Sequence, residues 1–195
     1  MAEALDRTRW GTRFHGCNPR VKIYTLLEIA SARSVMEIEM KIRGLMMDPM
    51  TNLPVVILKE ACGNGILPIW VGVHEANAIA LEIERVVTPR PMTHDLLKNV
   101  LLGLQAHVQK VVVTGIKDET FYAIIWVDRD DGLVSIDSRP SDAFALALRI
   151  DCPIYVEEAV LRASKANAPG DDASNKEEKP WLENLNDEDF GKYKM

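Results

Sequence analysis

The sequence lacks the features that define several protein classes. No apolar run reaches the roughly 18 to 20 residues that a membrane-spanning helix needs, so no membrane span is predicted. The N-terminus has scattered charges and no clear apolar segment before a cleavage site, which argues against a signal peptide. Only three cysteines occur, Cys17, Cys62 and Cys152, and none forms a C-x-x-C pair. This cysteine usage is typical of a reducing compartment, so a cytoplasmic location is expected.

Common catalytic signatures are also missing. The chain has no G-x-x-x-x-G-K-[ST] loop, no G-x-G-x-x-G after a strand, no H-E-x-x-H helix and no cysteine spacing for zinc. Ser141 and His94 could be placed in a Ser-His-Asp triad on paper, but no glycines flank the serine as they do in a nucleophile elbow. None of these site classes is therefore predicted.

The distribution of charge limits the binding partners. The net charge is −6, and residues 35–164 hold 12 of the 23 Lys and Arg residues but 18 of the 29 Asp and Glu residues. Tight non-specific binding of nucleic acid needs a basic face, because phosphate neutralisation dominates the affinity. Any contact with nucleic acid is therefore expected to be weak or local.

Composition divides the chain into three parts. Residues 1–34 lack a sustained period and predict a poorly ordered extension, in which Ile23 to Ile29 could form a helical turn or two. Regular patterning begins at Met36, which suggests this methionine as the natural start of the chain. Residues 35–164 are the predicted domain, and residues 165–195 are a polar linker and an acidic C-terminal tail.

Periodicity predicts a succession of strands and helices in the central part. Alternation of apolar and polar residues from Met36 to Arg43 indicates a half-buried strand, and Gly63-Asn64-Gly65 indicates a hairpin turn. The remaining predicted strands cover 54–58, 66–71, 108–116, 120–127, 133–137 and 153–156, and the helices cover 74–87, 94–106, 141 onward and 157–164. Thr93 and Ser141 are the expected N-terminal caps of two of these helices.

A shift of 67 residues brings two segments into register without gaps. It places the helix beginning Glu75-Ala76 on the helix beginning Asp142-Ala143, and residues 55–58 on residues 122–125. We interpret this as a duplicated β-β-β-α unit. Hairpin-linked strands followed by helices predict an α+β fold with a mixed or antiparallel sheet and packed helices. Glu75 and Asp142 would then occupy equivalent helix N-termini.

Candidate functional residues concentrate at two helix starts. Paired carboxylates can hold Mg²⁺ or Mn²⁺, arginines bind phosphate with a forked geometry, and histidine transfers protons near neutral pH. The expected metal ligands are Asp137 and Asp142, with Glu75 as a possible third ligand. The expected substrate-binding residues are Arg90, Arg139 and Ser141. The expected catalytic residues are His94, Asp95, Asp137 and Asp142. This interpretation requires the His94 imidazole to lie near the two aspartates of the second helix start.

Each candidate also has a purely structural interpretation. Asp95 and Asp142, in first helical turns, interact favourably with the helix dipole whatever else they do. Ser141 is an ordinary capping residue type, and Asp137 with Arg139 could form a structural ion pair.

Three motifs in order resemble the bifunctional nuclease domain family. They are L-P-I-W-V-G-x-x-E-A-x-A-I-A, R-P-M-T-H-D-L and I-D-S-R-P-S-D-A-F-A-L-A, and the resemblance covers about residues 36–164 with V-V-I-L-K-E and P-I-Y-V-E-E-A-V. It implies an α+β domain and nuclease activity, which has been attributed to plant members towards both RNA and DNA. The expected function is therefore metal-assisted hydrolysis of phosphodiester bonds. The alternative is a non-catalytic oligomeric module that binds a small anion or a partner protein, and a homo-oligomer is expected.

Overall fold

An eight-stranded sheet and four helices make up the computed structural model, which describes residues 21–24, 36–130 and 132–166. The strands are β1 (Val21–Tyr24), β2 (Glu37–Met47), β3 (Pro54–Glu60), β4 (Ile66–Trp70), β5 (His107–Lys117), β6 (Thr120–Arg129), β7 (Gly132–Ser138) and β8 (Ile154–Glu157). The helices are α1 (Val73–Ile83), α2 (Thr93–Gly103), α3 (Pro140–Ile150) and α4 (Glu158–Ala166). Among the described residues no helix has both the length and the apolar character needed to cross a bilayer.

The sheet is mixed, with strand order β1-β7-β6-β5-β8-β2-β3-β4. Every neighbouring pair is antiparallel except β5 and β8, which run parallel. The predicted α+β class with a mixed sheet is therefore confirmed. Each half of the chain reads strand, strand, strand, helix, as β2-β3-β4-α1 and β5-β6-β7-α3, and β8 lies between the two halves. That these halves are a duplicated unit stays a prediction.

Burial and turn chemistry explain why the strands form where they do. The run Val55 to Leu58 in β3 is fully buried, as its continuous β-branched and aliphatic sequence indicates. The predicted turn at Gly63-Asn64-Gly65 joins β3 to β4, and the backbone N–H of Glu60 donates to the carbonyl of Gly65 over 2.9 Å.

Helix α3 is the most deeply buried helix and packs against α1, α2, β5 and β6. Its small side chains let neighbouring elements approach closely, while Phe144 fills the core with no exposed surface. Helix α2 is different, because none of its residues is buried and Leu96, Val100 and Leu102 are about half exposed. Much of the apolar surface of α2 therefore faces outward. The N-terminal part of α2 lies beside α3.

The structure corrects three expectations from the sequence. Val21–Tyr24 pairs antiparallel with β7, so Ile23 and Tyr24 belong to a strand and not to the expected helical turn; residues 25–29 lie outside the described residues. Met92 occupies the N-cap position of α2, where Thr93 was expected. Arg139 occupies the N-cap position of α3, where Ser141 was expected.

The predicted extension and tail lie almost wholly outside the described residues, which omit 1–20, 25–35, 131 and 167–195. β1 is the exception, and it shows that residues before Met36 contribute a strand to the sheet. Helix α1 ends at Ile83, four residues before its predicted end, and the chain adopts φ 54° at Arg85.

Candidate functional site

The turn between β7 and α3 aims Arg139 away from the core. Pro140 is the first helical residue, a position where the missing backbone N–H costs nothing and the fixed φ suits the helix. A residue before proline is driven out of the helical region, and Arg139 accordingly has φ −74° and ψ 145°. Its side chain is 64% exposed.

The Arg139 guanidinium joins two carboxylates from different helices. Nη1 lies 2.7 Å from Oε1 of Glu75 at the start of α1, and Nε lies 2.7 Å from Oδ2 of Asp142 in the first turn of α3. These bonds, first to Asp142 and then to Glu75, raise the pKa of Arg139. The pKa of Glu75 is lowered, first by its own backbone N–H and then by Arg139, against the opposing effect of burial.

His94 completes the group from a third helix. Its Nε2 lies 3.2 Å from Oδ1 of Asp142, so that one carboxylate contacts both the imidazole and the guanidinium. The His94 side chain is 12% exposed, and that of Asp142 is 31% exposed. We call Glu75, His94, Arg139 and Asp142 the polar corner. His94 therefore lies beside Asp142, one of the two aspartates that the interpretation of the sequence requires near it.

A cleft opens beside the polar corner. Its volume is about 290 Å³, and its walls come from the end of β4, the β5–β6 turn and the start of α3: Ile69–Gly72, Glu119–Phe121 and Arg139–Ser141. Ser141 lines this cleft although its residue surface is mostly buried. The cleft places a cation, a hydroxyl and apolar surface around one small space.

Comparison with known proteins identifies the fold around this corner. The family model described as the bifunctional nuclease domain matches residues 56–169, more than half of the chain. The chain belongs to the bifunctional nuclease domain family. Two proteins described as uncharacterized, from Mycobacterium tuberculosis strains CDC 1551 and H37Rv, are each 44% identical over 123 residues, which is 63% of this chain and 73% of theirs.

Besides Ser141, which lines the cleft, three predicted site residues of this bifunctional nuclease domain lie outside the polar corner. Arg90 is exposed in the connection between α1 and α2, where its carbonyl accepts a hydrogen bond from Thr88. Asp137 is an exposed residue of β7, in register with Ile124 of β6. The ion pairs of Arg139 among the described residues are with Glu75 and Asp142. The structural ion pair of Arg139 with Asp137, which the sequence left open, is not among them.

The third is Asp95, whose two carboxylate oxygens each accept a hydrogen bond. Oδ2 accepts a 2.8 Å hydrogen bond from the backbone N–H of Met92, which caps α2, and Oδ1 accepts a 2.6 Å bond from Nε of Arg149. The Met92 N–H and then Arg149 lower the pKa of Asp95, although burial opposes them. Asp95 is therefore placed to hold the helix start that carries His94.

Arg149 is the residue of this site region that sequence reasoning missed. Its side chain is 4% exposed, and besides Asp95 it donates from Nη1 to the carbonyl of Ala145 over 2.8 Å. Its own carbonyl accepts a 2.6 Å bond from Nζ of Lys98 on α2. The available signal was a single arginine in the last turn of a mostly apolar helix, a position in which a cation also interacts favourably with the helix dipole.

The arrangement of the polar corner does not fit the expected metal ligands. Within residues 36–130 and 132–166 no group of three His, Cys, Asp or Glu side chains is placed to hold a metal ion. The Arg139 guanidinium lies between Glu75 and Asp142, where a cation shared by these carboxylates would have to bind. Mg²⁺ or Mn²⁺ bound by Asp137, Asp142 and Glu75 is therefore not supported by the geometry of this corner.

Proposed function

We propose that this protein is a nuclease that cleaves phosphodiester bonds of RNA or DNA at the polar corner. The observation that carries the proposal is the meeting of the His94 imidazole, from α2, with the Asp142 carboxylate and the exposed Arg139 guanidinium, both from the start of α3, where Arg139 lines the cleft. Membership of the bifunctional nuclease domain family supports the same reaction class.

Arg139 is the proposed phosphate-binding residue. Its Nη1 and Nε are held by carboxylates, while Nη2 makes no hydrogen bond to the described residues. A guanidinium fixed in this way loses little side-chain freedom on binding, and its remaining N–H groups can donate to phosphoryl oxygens as charge-assisted bonds. Ser141, on the wall of the same cleft, is proposed as a further substrate contact.

His94 is the proposed proton-transfer residue, and Asp142 is proposed to orient it. Histidine suits this task because its ordinary pKa lies near the operating pH. A carboxylate at one ring nitrogen fixes the tautomer and stabilises the protonated ring, as in other histidine-dependent sites. Glu75 then acts through Arg139, and Asp95 acts through the position of α2. Arg90, which is exposed in the connection before α2, is proposed as a further phosphate contact, and the catalytic role of Asp137 stays a prediction.

A nuclease assay on the purified full-length protein tests the proposal. Cleavage of single-stranded RNA and DNA is followed with Mg²⁺, with Mn²⁺ and with EDTA, which also tests the metal dependence expected from the sequence. We expect His94→Ala and Asp142→Asn to lose cleavage and His107→Ala to retain it. His107 is an exposed residue at the start of β5, whereas the β5–β6 turn that lines the cleft follows the other end of this strand. Cleavage that is equal in all variants would indicate a contaminant, and absence of cleavage by the wild type would reject the proposal.

The second candidate function is the non-catalytic module. The observation that favours it is the outward-facing apolar surface of α2, which is typical of an interaction site. A homo-oligomer built through this surface, together with binding of inorganic phosphate at Arg139 without turnover, would support the module. Light scattering and calorimetric titration of phosphate measure these two properties.

We place the proposed activity in the cytoplasm on the basis of cysteine usage. Cys62 and Cys152 are both free thiols in the described part of the chain. A thiol-trapping experiment on freshly lysed cells tests this placement.

A further inference from the structure

We propose that the cleft beside the polar corner binds one unpaired nucleobase, so that the substrate is a single-stranded region of RNA or of DNA. This inference rests on the proposed nuclease function and specifies which nucleotides of the substrate reach the corner. It starts from a hydroxyl in the wall of the cleft that has no hydrogen-bond partner in the described part of the chain.

The first step is the environment of Ser141. This residue lies in the first turn of α3, lines the cleft and is only 7% exposed. Its hydroxyl makes no hydrogen bond to another described residue. A nearly buried hydroxyl without a partner lacks the hydrogen bonds that it makes in water, and a ligand in the cleft can restore them. Because a hydroxyl both donates and accepts, the polar edge of any nucleobase offers it a partner.

The second step concerns the apolar part of the wall. Ile69 and Val71, at the end of β4, are buried, and Phe121 of β6 is half-buried and packs against the core. These three residues line the cleft together with Ser141. Nucleobases stack on aromatic side chains whatever the base sequence, because every base has a π-face. Phe121 is therefore the proposed stacking partner of the base.

The β4 side of the cleft is held in place by Trp70. Its indole Nε1 donates a 2.9 Å hydrogen bond to Oδ2 of Asp48, a buried residue in the turn after β2. The other carboxylate oxygen of Asp48 accepts a 2.9 Å hydrogen bond from the backbone N–H of Met50. A wall that is ordered before the ligand arrives loses little conformational freedom on binding, which favours affinity.

The size of the cleft suits one base and not a stacked pair of bases. Its volume of about 290 Å³ lies at the lower end of the roughly 300 to 1,000 Å³ that small-molecule sites have. A base in a duplex is stacked on its neighbours and paired through its polar edge, so it must leave the stack to enter such a site. This step is least costly for a base that is already unpaired. The cleft is therefore expected to select single-stranded regions.

Charges on two walls of the cleft orient the bound nucleotide. Arg139 lies on the wall from the start of α3, and Glu119, an exposed acid, lies on the wall from the β5–β6 turn. A phosphate is attracted by the guanidinium and repelled by the carboxylate, so it is expected at Arg139 with the base directed towards Phe121. Arg139 and His94 both contact Asp142, so this phosphate is the one that the polar corner receives.

The proposed contacts do not involve the 2′-position of the sugar. The base and the phosphate are the groups that RNA and DNA share, and both nucleic acids are therefore expected to bind. This agrees with the activity towards RNA and DNA that the resemblance to the bifunctional nuclease domain family implies. A contact of one nucleotide also needs no extended basic surface, which residues 35–164 with their excess of acidic residues do not predict.

Calorimetric titration of the full-length protein tests the base site without turnover. The ligands are adenosine 5′-monophosphate, its 2′-deoxy form, ribose 5-phosphate and inorganic phosphate, none of which contains a phosphodiester bond. We expect both nucleotides to bind about 5- to 100-fold more tightly than ribose 5-phosphate, as base stacking on an aromatic side chain usually contributes. The ribonucleotide and the deoxyribonucleotide should bind with equal affinity.

Two variants and a control locate the base at the cleft. Phe121→Leu keeps an apolar side chain, and Ser141→Ala removes only the hydroxyl oxygen. Each should weaken nucleotide binding by about 3-fold or more, while binding of inorganic phosphate stays unchanged because Arg139 is intact. Tyr122→Leu is the matched control and should bind nucleotides as the wild type does. Tyr122 is the next residue of β6 and is exposed, and successive side chains of a strand point to opposite faces.

A cleavage assay on one DNA strand links the base site to the polar corner. The strand is supplied single-stranded, paired in a blunt duplex, and single-stranded with one abasic position. We expect the single strand to be cleaved faster than the duplex. Cleavage at the linkages beside the abasic position should fall by about 5- to 100-fold, because the stacking interaction is missing there.

The outcomes separate this inference from the proposed function. Nucleotides that bind no more tightly than ribose 5-phosphate, or that bind equally to the wild type, Phe121→Leu and Ser141→Ala, would overturn the base site even if the protein cleaves nucleic acid. Cleavage that is as fast in the duplex or beside the abasic position as in the unmodified single strand would overturn it equally. Base-dependent binding at the cleft without cleavage of any substrate would support the base site and reject the nuclease.

Discussion

Nε of Arg149 donates a 2.6 Å hydrogen bond to Oδ1 of Asp95, and this bond ties the last turn of α3 to the first turn of α2. The nearly buried guanidinium has one other carboxylate near it among the described residues, that of Glu82 at 3.9 Å. Because His94 precedes Asp95 in the same turn, the bond also fixes the helix end that brings the imidazole to Asp142. The stability of the domain and the geometry of the polar corner are therefore coupled at this pair.

Replacing Asp95 by asparagine should destabilise the fold. The substitution leaves a buried arginine without its main counter-charge, which typically costs about 3 kcal/mol. Urea unfolding of Asp95→Asn against the wild type measures the loss. Asp118→Asn is the matched control, since Asp118 lies in an exposed turn, and a loss no larger than that of the control would contradict the role assigned to Asp95.

The same carboxylate should contribute to the acid sensitivity of the fold. The pKa of Asp95 is lowered on folding from its ordinary value of 3.8, so the unfolded chain binds the proton more readily. The stabilisation is therefore complete above that ordinary value and is lost as the pH falls below it through the folded pKa. The difference in unfolding free energy between wild type and Asp95→Asn should narrow as the pH is lowered from 6 to about 3. A difference that stays constant over this range would contradict the pairing.

Gly72→Ala should disturb the polar corner without strain in the backbone. Gly72 has φ −70°, which alanine accepts, but an added Cβ would collide with Oε2 of Glu75 and push this flexible side chain aside. Arg139 would then lose one of its two carboxylates. We expect RNA cleavage to fall several-fold while the melting temperature changes little. Gly103→Ala is the matched control, because a Cβ at Gly103 meets nothing within 4 Å.

Arg139→Gln should weaken phosphate binding and leave the stability of the fold nearly unchanged. Loss of a charge-assisted bond to phosphate, worth about 1.5 to 3 kcal/mol, corresponds to a decrease of about 10- to 100-fold in kcat/KM. Stability should change by less than about 1 kcal/mol, because the side chain is mostly exposed. Arg162→Gln removes a comparable exposed arginine, paired with Glu158 in α4, and should leave cleavage unchanged. Equal cleavage by Arg139→Gln and Arg162→Gln would contradict the phosphate-binding role of Arg139.

The two described thiols should differ in reactivity. Burial raises the pKa of Cys152 to about 11, so little thiolate forms at pH 8, whereas Cys62 is exposed. In a Cys17→Ser background, one thiol should react rapidly with a colorimetric disulfide reagent and the second only after denaturation. The Cys62→Ser variant of that background should lose the rapid phase. Rapid reaction of both thiols would contradict the burial of Cys152.

Local pattern was sufficient to predict most of the fold. Alternation in β2, the glycine-rich turn after β3 and the proline at the start of α3 are short-range signals, and each predicted an element within a few residues of its observed position. The strand Val21–Tyr24 was missed because four residues at an edge carry too little pattern. Its partner β7 is more than a hundred residues away, and only that pairing defines it.

The polar corner was predictable only in part, for the same reason. The interpretation of the sequence required His94 to lie near Asp142, since both residues belong to helix starts that carry charged side chains. The ion pair of Arg139 with Glu75 depends on how α1 packs against α3. The sequence around either residue does not indicate this packing. A structural ion pair of Asp137 with Arg139 was the alternative that the sequence left open. Asp137 is an exposed residue of β7, and the ion pairs of Arg139 among the described residues are with Glu75 and Asp142. Arg149 escaped notice because its partner Asp95 is 54 residues away.

The place of β8 has a consequence for synthesis on the ribosome. Among the described residues, the last strand made is β8, which joins the four-stranded part, β1-β7-β6-β5, to the three-stranded part, β2-β3-β4. A nascent chain that stops before Ile154 holds both parts without the strand that connects them. The sheet becomes continuous only after Glu157 has left the exit tunnel, so the two open edges must coexist until translation of the domain is nearly complete.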